Sequence, residues 1–197
     1  MLICITGIDG CGKGTQIYLL REVLERKGLR IFISKAYDEA EKEGLSHFFL
    51  YWDDVAITLA FQALHRQQFV KATEALGAGQ IVLADRWDES YLAYHSQFGL
   101  LSQDEGLRRR LNKIAFEGKK PDLTFLLKIS PERAGLRTEA RGRDFFDGKD
   151  LEYHARMAEA YETLACAEGW VILDGEKKPL EIHSEIMRVV LEKMGEE

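Results

Sequence analysis

A glycine-rich loop close to the amino terminus restricts the fold more than any other feature of this sequence. It reads Gly-Ile-Asp-Gly-Cys-Gly-Lys-Gly-Thr over residues 7–15, directly after an apolar run and directly before a helical pattern. Glycine adopts backbone angles that other residues resist, so neighbouring N–H groups converge on one anion, and the following helix points its positive end at it. The loop therefore predicts a strand, a phosphate cradle and a helix, in that order. The residues expected to hold the phosphates of a nucleoside triphosphate are Gly7, Gly10, Cys11, Gly12, Lys13, Gly14 and Thr15.

Short apolar runs alternate with longer helical patterns along the chain. The runs are too apolar to separate a polar face from an apolar one, which is typical of strands buried on both sides. We expect strands over 2–6, 30–34, 81–84, 123–129 and 170–173, and two of the helices over 151–167 and 180–194. This order predicts an α/β fold of the P-loop NTPase type, a three-layer sandwich with a five-stranded parallel sheet between helices. We expect one domain over residues 1–197, with a short mobile lid near 137–150, where Arg, Asp and Gly are dense.

Composition excludes several other classes of protein. The formal net charge of −6 argues against a surface that grips the nucleic-acid backbone, which needs a basic field. No apolar run approaches the roughly 18 residues that a membrane span requires. The amino terminus enters the first apolar run without the basic leader of a signal peptide. The three cysteines show no paired spacing, which indicates reduced thiols. We therefore expect a cytoplasmic protein without nucleic-acid or membrane partners.

The position after Lys13 departs from the strict phosphate-loop pattern. That pattern places Ser or Thr there as a magnesium ligand, whereas this chain has Gly14 and then Thr15. Mg²⁺ is then held by phosphates and water, or Thr15 takes the role from one position later. The Gly-Lys-Gly-Thr form is similar to that of adenylate kinases, which favours a nucleoside monophosphate kinase over a GTPase switch.

A second signature follows the third predicted strand. Asp85 and Arg86 lie at its carboxyl end, where ligands of open α/β sheets bind, although a plain salt bridge also explains such a pair. Together with the residues that follow, the chain resembles thymidylate kinases, and the likeness covers nearly its whole length. The matching residues of the two signatures are Gly7, Asp9, Gly10, Gly12 and Lys13, then Asp85, Arg86, Ser90, Ala93 and Tyr94.

The resemblance implies catalytic roles for several of these residues. Lys13 and Arg86 would contact the phosphates, and Asp85 would hold magnesium through water. Gly10 occupies the place where some members carry a loop arginine, and members with glycine there supply the arginine from the lid. Arg141 is the best match for that lid arginine and Arg137 is the next candidate. The likeness also implies ATP and Mg²⁺ as reactants and a homodimer.

On the acceptor side the resemblance implies a nucleotide pocket. Asp9 would contact a sugar hydroxyl, Ser90 and Tyr94 would lie near the deoxyribose, and Arg66 would read the base.

Two departures fall in this pocket. Lys35 stands near the place of the family's arginine for the acceptor phosphate, and a lysine lacks the bidentate fork. The family's stacking phenylalanine precedes its arginine by four residues; here that position is Gln62, and Phe61 lies one residue earlier. His65 and His95 either flank the pocket or are ordinary packed histidines.

The sequence as a whole therefore predicts transfer of the γ-phosphoryl group of ATP to a nucleoside monophosphate, with dTMP as the first expectation. Two alternatives stay open. The altered acceptor pocket fits a kinase of another nucleotide or of a deoxynucleoside. The second alternative is a nucleotide-binding regulatory protein that has kept the phosphate loop but no longer catalyses phosphoryl transfer.

Overall fold

The structure is a computed structural model that describes residues 1–37, 44, 51–139 and 151–195. Within these ranges it contains five parallel strands and seven α-helices. The strands are β1 (Leu2–Thr6), β2 (Ile31–Lys35), β3 (Ile81–Asp85), β4 (Leu123–Lys128) and β5 (Val171–Asp174). The helices are α1 (Lys13–Arg26), α2 (Asp54–Gly77), α3 (Asp88–Gln97), α4 (Glu105–Phe116), α5 (Pro131–Glu139), α6 (Leu151–Glu168) and α7 (Pro179–Met194).

The sheet has the strand order β2-β3-β1-β4-β5. β1 is central, and its Ile3 pairs with Leu83 on one side and Leu123 on the other. Every residue of β1 is buried, which explains its unbroken apolar run. Because all five strands are parallel, their carboxyl ends meet at one edge of the sheet, and the loops that follow them come together there.

Helices cover both faces of the sheet. The Ile3 and Ile5 side chains pack with Leu20 of α1 and Ile186 of α7 in one cluster. The alternate residues of β1 pack with α2 and α4 in a second cluster, which contains Leu2, Cys4, Phe69 and Phe116. This period of two is that of a strand with both faces covered. The expected three-layer α/β sandwich is confirmed.

Element boundaries follow local capping. Asp53 begins α2 by accepting a hydrogen bond of 2.8 Å from the Ala56 N–H, and Asp104 caps α4 in the same way. β2 and β5 each begin one residue later than expected. Residues 137–139 of the expected lid lie in α5, and 140–150 lie outside the described residues. Within the described ranges, no helix is both long enough and apolar enough to cross a bilayer.

Candidate active site

The glycines of the phosphate loop are required by close packing as well as by backbone angle. Gly10 has φ +82°, and a Cβ there would lie 2.4 Å from the Ala134 carbonyl oxygen of α5. At Gly7, with φ +139°, a Cβ would lie 2.7 Å from the Leu127 carbonyl oxygen. Both distances are too short for any side chain, so β4 and α5 press directly on the loop.

The start of α1 supplies the anion site. Gly12 is its N-cap residue and has no side-chain capping hydrogen bond, and the first intrahelical bond runs from the Gln16 N–H to the Gly12 carbonyl. The N–H groups of residues 13–15 belong to the first helical turn, which leaves them for an anion. The Cys11 N–H instead donates to the Ile8 carbonyl at 3.3 Å. The Cys11 amide is therefore committed to a hydrogen bond within the loop.

Lys13 folds back over the loop that it follows. Its Nζ donates hydrogen bonds of 3.1 Å to the carbonyl oxygens of Gly7 and Ile8, and lies 3.5 Å from Asp9 Oδ1. The residue is buried although it carries a charge. These oxygens hold the ammonium group at the mouth of the anion site.

Arg86 joins the end of β3 to the phosphate loop. Its Nη2 lies 2.7 Å from Asp9 Oδ1, which is also the oxygen nearest Lys13. Burial alone would raise the pKa of Asp9, but the charges of Arg86 and Lys13 outweigh it and hold that pKa well below the usual range. Asp9 is therefore a carboxylate at any physiological pH.

The backbone of Arg86 is strained and is braced from α2. Its φ is +68°, in the left-handed region, which costs a bulky residue about 1–2 kcal/mol. Gln68 donates a hydrogen bond of 2.8 Å from Nε2 to the Arg86 carbonyl. This bond fixes the direction in which the guanidinium group leaves the strand.

Two hydroxyl groups, those of Ser90 and Tyr161, orient the Arg86 guanidinium, and the Glu89 carboxylate orients the Ser90 hydroxyl. The Ser90 hydroxyl donates to Glu89 Oε1 at 2.9 Å, so its hydrogen is committed. The Tyr161 hydroxyl, 2.9 Å from Ser90 Oγ, must then donate to Ser90 and accept from Arg86 Nη1. Glu89 in turn accepts from the Trp87 N–H at 2.9 Å. Burial raises the pKa of Tyr161 to about 12, so this phenol keeps its proton.

The residues expected to bind magnesium offer few ligands. Asp85 is partly buried at the end of β3, with Lys35 Nζ 3.8 Å from its Oδ2. Thr15 is exposed on the first turn of α1. Among the described residues, no group of three or more His, Cys, Asp or Glu side chains is placed to hold a metal. A hydroxyl and a carboxylate are oxygen ligands of the kind that Mg²⁺ prefers, and this small set fits an ion that keeps phosphate and water ligands.

Aromatic side chains near α3 and α6 form a group that includes Tyr94, one of the expected substrate-binding residues. The Tyr94 and Phe98 ring centroids lie 5.6 Å apart, and Phe98 stacks on Tyr153 at 4.8 Å. Burial raises the pKa of Tyr153 well above its usual value. The ring centroids of Tyr94 and Tyr153 lie 6.5 Å apart, so Tyr94 belongs to this aromatic group, and its expected place near the deoxyribose stays a prediction.

The structure does not bring Arg66 to this group. Its Nη1 lies 2.8 Å from Glu117 Oε1 and 3.4 Å from the Ala115 carbonyl oxygen, at the end of α4. The ring of Phe61, by contrast, lies 6.2 Å from that of Tyr37, just after β2. One residue is about 100° of turn on a helix, so these two side chains of α2 leave in different directions. The structure therefore places the Arg66 guanidinium at the end of α4, and its expected contact with the base stays a prediction.

Of the two candidate lid arginines, the structure describes Arg137 but not Arg141. Arg137 lies on α5, and its Nη1 donates to the carbonyl oxygens of Gly175 at 3.1 Å and Gly10 at 3.5 Å. It therefore ties α5 to the phosphate loop and to the loop after β5. Arg141 lies outside the described residues, so its role stays a prediction.

Sequence reasoning missed Gln68 and Tyr161. Both act on Arg86, and both are buried residues within long helices. A polar residue on the buried face of α2 was a usable signal for Gln68. Tyr161 looks like any core aromatic in the sequence, and its contact with Arg86 spans 75 positions.

The fold and this arrangement define a phosphotransferase of the P-loop class: a parallel sheet delivers a phosphate loop, a lysine and a strand-end arginine to one edge. A family model described as thymidylate kinase matches residues 5–186. A thymidylate kinase of Caldanaerobacter subterraneus subsp. tengcongensis is 30% identical over 198 residues, 96% of this chain and 94% of that protein. A thymidylate kinase of Maridesulfovibrio salexigens is 34% identical over 216 residues, 98% and 96% of the two chains. The chain belongs to the thymidylate kinase family.

Proposed function

We propose that this protein transfers the γ-phosphoryl group of ATP to dTMP, giving ADP and dTDP. The observation that supports this most directly is the contact of Asp9 with both Lys13 and Arg86. In this contact a carboxylate of the phosphate loop, the loop lysine and the strand-end arginine form one cluster, which supports a role for Asp9 beside both substrates. The two relatives described above are named thymidylate kinases, which supports dTMP as the acceptor.

Catalysis would consist of positioning and charge neutralisation, without a covalent enzyme intermediate. The first-turn amides of α1 and Lys13 would bind the donor phosphates and stabilise charge on the transferring group. Arg86, held by Asp9 and Tyr161, would reach the phosphates of donor and acceptor. Lid arginines, with Arg141 and Arg137 as candidates, would complete the site once both nucleotides are bound and would exclude water.

Magnesium belongs to this proposal through two side chains. Thr15 and Asp85 are the residues that would hold the ion, Asp85 through water. Bound there, Mg²⁺ would neutralise charge on the phosphate oxygens of ATP. Lys35 would act as a point charge on the acceptor phosphate.

An acceptor panel tests the function. ADP release is measured with ATP, Mg²⁺ and each of dTMP, dUMP, UMP, CMP, AMP, GMP and thymidine. We expect the highest kcat/KM with dTMP and none above background in a Lys13→Met variant. Equal rates across the panel would contradict the thymidylate assignment.

The placement of Arg66 against Glu117 favours one alternative, a kinase of another nucleotide or deoxynucleoside, because the expected base contact is missing. Another acceptor that outperforms dTMP in the panel would establish it. ATP binding without transfer to any acceptor would establish the regulatory alternative instead.

A homodimer is the assembly we propose. On α2, Val55 and Leu59 are 45% and 55% exposed, and Ala63 continues their spacing on the same face. An exposed apolar stripe of this kind marks a protein interface. Light scattering should give twice the monomer mass, and Leu59→Glu should reduce it, whereas Gln67→Glu further along the face should not. The single-domain organisation, the cytoplasmic location and the lack of a nucleic-acid partner stay predictions.

A further inference from the structure

One face of α2 is directed at the site, and it is not the face that carries Arg66. Phe61 reaches Tyr37 after β2, and Gln68 reaches the Arg86 carbonyl. His65 lies between them, four residues after Phe61, so the two side chains stack on the same side of the helix. Phe61 and His65 therefore reproduce the family's spacing of a phenylalanine and a polar residue four positions later. This pair begins one residue before the pair Gln62 and Arg66.

The hydrogen bonds around His65 define which ring nitrogen carries its proton. A backbone carbonyl can only accept, so the Gln68 amide group donates to Arg86 and its Oε1 is left as an acceptor. His65 Nδ1 lies 3.4 Å from that Oε1 and must carry the hydrogen. Burial lowers the pKa of His65 to about 4, against the opposing effect of Gln68, so the ring is neutral at pH 7. Its Nε2 is then a bare acceptor, with no hydrogen-bond partner among the described residues.

Further polar atoms without partners surround this ring. The ring centroids of His65 and Tyr91 lie 6.2 Å apart, and those of Tyr91 and His95 lie 4.4 Å apart. His95 Nδ1 is buried without a hydrogen bond, and the Tyr91 hydroxyl and the Gln62 side-chain amide lie beside one another without a hydrogen bond of ordinary geometry. Tyr91 and His95 are only 2% and 4% exposed. Each such atom costs about 1–3 kcal/mol, so their concentration between α2 and α3 indicates a ligand that satisfies them.

We infer that His65, and not Arg66, reads the base of the acceptor nucleotide. Its Nε2 accepts the hydrogen of a ring N–H, and the Tyr91 hydroxyl donates to the carbonyl beside it. The matching chemistry is an imide edge, an N–H flanked by carbonyls, as in thymine and uracil. Cytosine has an unprotonated ring nitrogen in that position. This nitrogen and His65 Nε2 are both acceptors, so no hydrogen bond would form between them. This inference rests on the proposed function.

His65→Phe is the decisive variant, because phenylalanine keeps an aromatic ring against Phe116 and Tyr91 and removes the acceptor. Arg66→Gln is its matched control on the neighbouring position. We expect His65→Phe to raise the KM for dTMP by about tenfold or more, since a buried partner of the base is lost. The KM for ATP and the rate with dCMP should stay within twofold, so preference for dTMP over dCMP falls. Arg66→Gln should leave all of these values unchanged.

Tyr91→Phe gives a second test that does not depend on the stability of the first variant, because it removes a single hydroxyl group. It should raise the KM for dTMP by about fivefold or more and leave the KM for ATP unchanged. An unchanged KM for dTMP in either folded variant, or a rise confined to Arg66→Gln, would overturn the inference. Those results require a wild-type protein that phosphorylates dTMP; a wild-type protein that does not would overturn the proposed function instead.

Discussion

The Gln68 side chain holds the Arg86 carbonyl at 2.8 Å, and Arg86 is one of two non-glycine residues with a left-handed backbone in the described part of the chain. The hydrogen bond from Gln68 and the strained backbone angle occur at the same residue, Arg86. A backbone angle that costs free energy persists only where its surroundings fix it. Helix α2 therefore contributes to the site through the side-chain amide of Gln68.

Replacement of Gln68 by methionine should destabilise the protein. The variant keeps the volume of the side chain but leaves the buried Arg86 carbonyl without its donor, at a cost of about 1–3 kcal/mol. Urea unfolding of Gln68→Met measures this loss. Gln67→Met is the control, because Gln67 is exposed on the other side of the same turn and should change the free energy of unfolding little. Equal effects of the two variants would contradict the bracing role.

Tyr161→Phe should lower activity more than it lowers stability. The substitution removes the hydroxyl that accepts from Arg86 and donates to Ser90, while the ring stays in the core. Hydrogen bonds to charged groups contribute about 1.5–3 kcal/mol, so kcat/KM for dTMP should fall about 10- to 100-fold. Steady-state kinetics of this variant and of Tyr18→Phe, an exposed tyrosine of α1, make the comparison. Equal kinetics in both would show that the hydroxyl is dispensable.

Alanine substitutions should separate two glycines of the phosphate loop. At Gly12 a Cβ meets nothing within 4 Å, so Gly12→Ala should cost only backbone strain, about 1–2 kcal/mol. At Gly10 the added carbon overlaps the Ala134 backbone as well, which should add about 1–3 kcal/mol. Urea denaturation should therefore rank Gly10→Ala as the less stable variant. The reverse ranking would mean that α5 does not rest on the loop.

Asp88 should make stability depend on pH. Burial raises its pKa to about 6, in spite of Lys120 Nζ at 2.7 Å and with help from the charge of Glu89. An acid whose folded pKa lies above its unfolded pKa loses stability as pH rises from about 4 to 6, and the loss persists above that window.

Asp88→Asn removes that loss. Relative to the wild type, the variant should gain about 1–3 kcal/mol in its free energy of unfolding between pH 4.5 and pH 7.5. Urea unfolding at the two pH values measures the difference. Asn112 and Lys120, which contact the carboxylate, stay in place. A difference independent of pH would contradict the raised pKa.

Much of the fold was predictable because its signals are local. An unbroken apolar run identified β1, and the glycine loop placed α1 after it. Asp9 and Lys13 both belong to the glycine-rich loop and are in contact in the structure. Arg86 contacts Asp9 from the end of β3. Parallel strands that end at a common edge make such a meeting a general property of the fold.

The acceptor side was predictable only in outline. A shift of one residue on α2 moves a side chain by about 100°, so a motif match at Arg66 does not decide which face it occupies. The contact with Glu117 is what places it at the end of α4. Helices α3 and α4, at residues 88–97 and 105–116, were not delimited from the sequence. Besides Asp9, the partners of Arg86 come from three helices, and only tertiary packing brings them together.

The contact between Gly10 and Ala134 has a consequence for how this lineage can change. The family resemblance implies two arrangements, with the arginine either in the loop or in the lid, and one substitution at Gly10 would seem enough to pass between them. Here the Ala134 backbone occupies the space that the first carbon of such an arginine needs. The passage would require α5 to shift in the same step. In this arrangement the packing of α5 on the phosphate loop therefore excludes an arginine at position 10, whatever its effect on catalysis would be.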